Sequence, residues 1–272
     1  MFHVEHFADG CINPHSLKSI LDLVAPVSLV SIHHVQNETG VIQDIAALGK
    51  LVKTLCPAAL LHVDAAQSFC KIPVDVRAMG VDLLSVSAHK IGGLKGCGAL
   101  FVREKVHVNP LILGGGQEGG FRSGTENVPG IAAFGAVVTE RYDKLHENYG
   151  YVERLRERFL AALSGLEGVD INGENTSPYI LNISVTGVRP EVLLNALSAE
   201  GVYISVGAAC SGSKRQKEEE AAVILAYGLS AERARTAVRI SFSPENTLDE
   251  MEAAAEIFGR NVENLRKMRK LR

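Results

Sequence analysis

A lysine at the end of an apolar strand is costly to bury unless chemistry uses it, and the run Leu83-Leu84-Ser85-Val86-Ser87-Ala88-His89-Lys90 ends that way. Upstream, Leu60-Leu61-His62-Val63 is a second apolar run that closes on Asp64 and is followed by Gln67. Two strand ends therefore offer an amine and a carboxylate. An amine to carry an aldehyde cofactor covalently, with an acid to keep a pyridinium nitrogen protonated, is the pairing that pyridoxal phosphate (PLP) chemistry requires. A lone strand-end lysine is more often an exposed edge residue. Asp64, Gln67, Ser87 and His89 around it turn the balance toward catalysis.

Strands must deliver these groups to one edge, and the first half of the chain has the texture for it. Val27 to His34 is a β-rich run, and Ile45, Leu48, Val52 and Leu55 then repeat at helical spacing behind Asp44, a suitable cap. Strand, helix, strand is expected again through Leu60 to Val63, Val74 to Met79 and Leu83 to Val86. Such alternation predicts parallel strands with crossover helices, an α/β layer fold whose working residues gather at the carboxyl ends of strands. Beyond Pro129 a long helix is expected, with Val152, Leu155, Phe159 and Leu163 on one face. It bridges to a small α+β domain: strand Tyr179 to Val185, helix Glu191 to Ala199, a glycine-rich loop around Cys210, strand Ala237 to Phe242, and a last helix carrying Leu248, Met251, Ala255, Phe258, Val262 and Leu265. The expected boundaries are 1–145 for the large domain and 146–272 for the bridge and small domain.

Composition sets few limits. The 272 residues are 46% hydrophobic and 22% charged, ordinary for a globular protein able to bury a sizeable core, and a net charge of -3 gives no reason to expect nucleic acid as the main partner. No apolar run approaches a membrane span, and the first residues lack the basic-then-apolar layout of a signal peptide, so a cytoplasmic location is expected. The five cysteines, 11, 56, 70, 97 and 210, show no C-x-x-C spacing, which argues against disulfides and structural zinc; most, such as Cys97, have the apolar neighbours of buried small residues.

Several stretches invite a motif assignment and have duller explanations. Gly114 to Gly119 satisfies G-x-G-x-x-G, with Leu111 to Leu113 as a candidate strand before it, but Phe121-Arg122-Ser123-Gly124-Thr125 follows where a dinucleotide fingerprint would open into a helix. A loop with anion-binding character from Arg122 and Thr125 is expected instead. His33-His34 is a poor metal pair, because adjacent strand residues point to opposite faces. The run Lys214 to Glu220 suits a solvated helix start. The cations of the tail, Arg260, Arg266, Lys267, Arg269, Lys270 and Arg272, suit either helix-dipole compensation or a patch for an acidic partner protein.

Together, His34 to Asp44, His62 to Ser68, Ser85 to Lys90, Gly114 to Glu118 and Arg122 to Asn127 resemble, in order and spacing, the cysteine desulfurases of the NifS/IscS type in the class V aminotransferase family. Two later segments resemble it too: Ser205 to Ser213, like the mobile loop carrying the persulfide-forming cysteine, and Ala237 to Phe242, like the segment whose arginine grips the substrate carboxylate.

The resemblance implies a PLP-dependent transferase of the aspartate aminotransferase-like fold, with the large domain incomplete. It implies that Lys90 holds the cofactor and then shuttles a proton, that Asp64 faces the pyridinium nitrogen, and that Gln67 and Asn37 contact the ring oxygen and the substrate. Ser87 and His89 would anchor the phosphate. Thr125 would reach the phosphate of the cofactor in a second subunit, which implies a homodimer. Arg239 would clamp the carboxylate of L-cysteine, and Cys210, as a thiolate, would take its sulfur, leaving alanine and a persulfide for a sulfur acceptor or iron-sulfur scaffold protein. No metal is implied, unless Cys210 lies at a cluster-transfer interface. Members of the family open with a further part of the large domain, carrying a phosphate cradle and a ring-stacking histidine; the matching region is expected to lie before Met1. An aminotransferase, a selenocysteine lyase and a non-catalytic scaffold subunit are the alternatives.

Overall fold

Leu29–His33, Leu60–Asp64 and Leu83–Ser87 form strands β1, β2 and β3, each rich in branched or apolar residues, and they pair in parallel. Helix α2 (Ile45–Leu55) makes the crossover between the first two. Its start is set by Asp44, whose Oδ1 accepts the Ala47 N–H at 2.9 Å, and Ile45, Leu48 and Val52 form its buried stripe. Gly49 lies in the same stripe, where a Cβ would come within 2.8 Å of the Met79 carbonyl oxygen and 2.9 Å of Leu61 Cδ2. Only glycine lets helix and sheet approach this closely.

The computed structural model describes residues 2–206 and 223–270, and these form two compact units. The parallel unit comprises 21–34 and 44–145. Its sheet order is β1-β2-β3-β4, with β4 (Gly98–Val102) antiparallel to β3 and at the edge. A helix over Val74 to Met79 does not form. Asp75 Oδ1 accepts the N–H groups of Arg77 at 2.8 Å and Ala78 at 3.0 Å, and Gly80 (φ +66°) closes a run of turns. Asp75 caps this stretch as Asp44 caps α2, but between Pro73 and Gly80 it is too short to repay helix nucleation. At the far end of the sheet Asp82, buried, receives Lys53 Nζ at 2.5 Å, the Leu61 N–H at 2.7 Å and the Arg103 guanidinium. Helix α3 (Val128–Asp143) completes this unit.

The antiparallel unit comprises, among the described residues, 2–20, 35–43, 146–206 and 223–270. Helix α1 (Pro14–Val24) starts in it and ends in the parallel unit. Residues 1–20 and 35–43, which the sequence groups with the large domain, join through contacts of long sequence range. The Gln43 amide donates to the Gly10 carbonyl at 3.0 Å and accepts the Ile12 N–H at 2.8 Å, and Val41 bridges Thr176. Helix α4 (Leu145–Ala162) carries the expected apolar face, with Val152, Leu155 and Phe159 buried. The sheet runs β5 (Val169–Ile171), β6 (Ile180–Val185), β8 (Ala237–Ser241), β7 (Ser205–Val206), all antiparallel. Helices α5 (Pro190–Ala199), α6 (Ala231–Thr236) and α7 (Leu248–Lys270) complete the unit.

Leu193 and Leu197 of α5, Met251, Ala255, Phe258 and Val262 of α7, and Leu181, Ile183 and Val185 of β6 are buried, and Phe159 meets Phe242 and Phe258 edge-on at 5.9 and 6.1 Å. The tail cations do structural work: Arg260 pairs with Glu200, and Arg266 donates to the carbonyls of Thr186, Glu167 and Gly168. Among the described residues no helix is long and apolar enough to cross a membrane.

Candidate active site

Parallel pairing aligns the carboxyl ends of β1, β2 and β3, with His33 opposite Asp64 and Asp64 opposite Ser85. Asp64 is exposed, and its Oδ1 accepts the Ala66 N–H at 2.9 Å, so a local turn holds the carboxylate at the strand end. Gln67, half-buried, accepts from Lys71 Nζ at 3.5 Å. Beneath Asp64 the His62 ring spans three strands, with Nδ1 2.8 Å from Ser31 Oγ and Nε2 3.2 Å from Ser85 Oγ.

After Ser87 the chain makes a single 3-10 turn, Ala88–Ile91, closed by Gly92 at φ +95°. Ala88 and Ile91 bury into a cluster with Cys70 and Phe134, while His89 is exposed and Lys90 half-buried. The turn is further tied by Arg141 Nε, which donates to the Ile91 carbonyl at 3.3 Å. Ser87 Oγ lies 2.8 Å from His89 Nδ1. With the hydroxyl donating there, the imidazole proton sits on Nε2, free to meet an anionic oxygen.

Thr125 closes a loop in which Gln117 Oε1 accepts the Gly124 N–H at 3.1 Å, Ser123 Oγ accepts the Gly116 N–H at 3.3 Å, and Leu111 and Ser123 donate to Phe121 and Ile112. Leu111 to Leu113 form no strand, and only Ile112 bridges, to Arg122. The Thr125 side chain is exposed, and Arg122 turns back to its own loop, 3.4 Å from the carbonyl oxygens of Gly124 and Thr125. Cys56 and Cys70 are buried; Cys97, at the edge strand, is half-buried and accepts from Asn127 Nδ2 at 3.4 Å.

In the antiparallel unit, Arg239 sits on β8 between Asn182 of β6 and Ser205 of β7 in register. Its Nη1 donates to the Asn37 carbonyl and its Nη2 to Ser205 Oγ, both at 3.0 Å, while Nε is buried without a partner among the described residues. Burial lowers the guanidinium pKa and Glu38 nearby opposes this. With three of its five N–H groups uncommitted among the described residues, the fork can still take a bidentate anion. The sequence alone gives Ser205 no role, since only the register β7 makes with β8 puts it beside Arg239. Cys210 and the charge run 214–220 lie outside the described residues. Among the described residues no cluster of three His, Cys, Asp or Glu side chains could hold a metal ion.

The pattern of the family described as Aminotransferase class-V matches residues 2–254. The chain belongs to the aminotransferase class-V family. This class-V chain is 41% identical over 244 residues to "Cysteine desulfurase IscS" of Vibrio cholerae, a match covering 88% of the chain and 59% of that protein. It thus spans about three fifths of the length of the curated relatives it matches. Among solved structures it is similar to a NifS-like protein from Rickettsia africae, with TM-score 0.86 and 33% identity over 96% of this chain and 69% of that one. It is also similar to a structure of SspA in complex with cysteine, with TM-score 0.71 and 31% identity over 90% and 67% of the two chains. The class-V assignment agrees with a mixed α/β architecture containing a parallel sheet.

Proposed function

We propose that this chain removes sulfur from L-cysteine with pyridoxal phosphate, giving L-alanine and a persulfide on Cys210. The observation that carries the reading is the placement of Asp64, Ser87, His89 and Lys90 at the carboxyl ends of adjoining strands β2 and β3, three of them fixed by a turn whose other residues are buried. This donor set fits the cofactor: an amine for its aldehyde, a carboxylate for its ring nitrogen, and a hydroxyl and an imidazole already hydrogen-bonded to each other for its phosphate. Relatives named cysteine desulfurase and a neighbour solved with cysteine bound support the substrate class.

When bound, the cofactor supplies an electron sink that weakens bonds at the substrate α and β carbons. Lys90 would hold it covalently and, once released by the substrate amine, move the proton at the substrate α carbon. Asp64 would keep the ring nitrogen protonated, Ser87 and His89 would hold the phosphate, and Gln67 and Asn37 would meet the ring oxygen and the substrate. Arg239 would grip the substrate carboxylate through its uncommitted N–H groups. The Cys210 thiolate bonds to the substrate sulfur as the carbon-sulfur bond breaks, and the carbon fragment takes up a proton and leaves as alanine. A sulfur-acceptor or iron-sulfur scaffold protein would then relieve Cys210. Thr125, exposed on its loop, would reach the phosphate in a second copy of the chain, making the working form a homodimer.

The test is cofactor uptake and alanine release from cysteine by the purified chain, with and without Lys90→Ala. Uptake that gives a covalently held chromophore in the wild type and none in Lys90→Ala is expected. Unchanged absorption in the variant refutes the assignment of the amine.

A further inference from the structure

The two faces of β6 differ in kind. Leu181, Ile183 and Val185 enter the apolar core, whereas Asn182 and Ser184, only 5% and 1% exposed, lie on the opposite face. There Asn172, 0% exposed, donates from Nδ2 to Asn182 Oδ1 and to Ser184 Oγ, each at 2.7 Å, and its Oδ1 accepts from Arg233 Nε at 3.0 Å. Ser184 Oγ donates to the Arg233 carbonyl at 2.8 Å, and Arg233 Nη2 donates to the Ile171 carbonyl at 2.5 Å. At the other end Asn182 Nδ2 donates to the Glu38 carbonyl at 3.1 Å. Every donor in the series from Arg233 through Asn172 and Asn182 points the same way, so the bonds polarise one another. Apolar residues of the same shape would fill this space without the desolvation that two buried amides incur, so packing alone does not account for them.

The oxygen this chain of amides holds belongs to the peptide next to the one that holds Arg239. Asn37 O takes Arg239 Nη1, Glu38 O takes Asn182 Nδ2, and Asn182 and Arg239 are register partners on β6 and β8. Gln36 holds the same two peptides from their other side: its Oε1 accepts the N–H groups of Glu38 at 2.5 Å and Thr39 at 2.9 Å, so Asn182 adds the side-chain restraint on the carbonyl side, and Thr39 Oγ1 lies 3.0 Å from the Tyr227 hydroxyl. We propose that Asn182, backed by Asn172, is a positioning residue that fixes the Asn37–Glu38 turn and, through the Asn37 carbonyl, aims the Arg239 guanidinium at the substrate carboxylate. The proposal rests on the carboxylate-binding role given to Arg239 above.

Hydrogen exchange in the full chain, read on segments 36–42 and 179–185, tests the first half in Asn182→Leu and in the milder Asn182→Ser, which serves if the leucine variant does not fold. Losing one hydrogen bond is expected to speed exchange in 36–42 about tenfold while 179–185 is unchanged. In the PLP-loaded chain, affinity for L-alanine should fall about tenfold, while affinity for ethylamine, the same molecule without its carboxylate, stays the same. Exchange in 36–42 at the wild-type rate, or rising only in step with 179–185, overturns the proposal. So does an equal loss of affinity for both ligands. The role of Arg239 is judged apart: if Arg239→Ala leaves L-alanine affinity unchanged, that reading falls, and the exchange rates still decide whether Asn182 holds the turn.

Discussion

Lowering the pH from 7.5 to 5 is expected to cost the fold about 2 kcal/mol through His34. The residue is 4% exposed, its Nδ1 is buried without a partner among the described residues, and burial pushes its pKa down from 6.5 to about 4. In the unfolded chain the imidazole takes a proton near its ordinary pKa; in the folded chain it stays neutral until the pH is far lower. The unfolded state therefore binds more protons throughout this window, and stability falls with pH. The contribution is complete above about pH 6.5 and is lost progressively down to about pH 4, at about 1.4 kcal/mol per pH unit. His6, whose pKa burial also lowers, acts with the same sign, so the informative quantity is a difference. Urea unfolding of the wild type and His34→Leu at pH 7.5, 6.5, 5.5 and 5 should show the pH dependence of the variant reduced by about 2 kcal/mol across the range. Equal pH dependence of the two proteins, or a His34 imidazole that titrates near 6.5 by NMR in the folded chain, would show that His34 is not the group responsible.

Asp82→Asn should destabilise the parallel unit by about 2 to 3 kcal/mol, read from the denaturation midpoint, because Lys53 and Arg103 lose the buried carboxylate they share. Arg239→Lys should raise KM for cysteine at least tenfold with kcat little changed, since an ammonium cannot satisfy both the Asn37 carbonyl and a carboxylate fork; an unchanged KM would count against the clamp. Cys210→Ala should abolish sulfur transfer to an acceptor while sparing any amino-group transfer. Persulfide transfer that survives in this variant would place the acceptor cysteine elsewhere.

The elements most legible in the sequence are those specified locally. Asp44 and the spacing of Ile45, Leu48 and Val52 define α2 within about two turns of chain, and the alternation from Ile180 to Val185 marks β6. β4 was not legible, because Gly98 to Val102 is a strand by virtue of its pairing with β3 and has an open edge beyond it. The placement of 1–20 and 35–43 was equally hidden, depending on contacts such as Gln43 with Gly10 that no local pattern announces. In the site, Lys90 and Asp64 stood out because each ends an apolar run. Asn182 and Ser205 did not, since an asparagine and a serine in strands acquire meaning only from the register that sets them on either side of Arg239.

The turn from Ala88 to Ile91 divides its labour by position: Ala88 and Ile91 hold the fold, while between them His89 is exposed and Lys90 only half-buried. Substituting His89 or Lys90 would therefore disturb the core very little. A lineage that had stopped using the site could let both positions drift while still making a folded protein. Comparing how fast these two positions change among close relatives of this chain, against Ala88 and Ile91 as an internal clock, would distinguish a site still in use from one merely carried along.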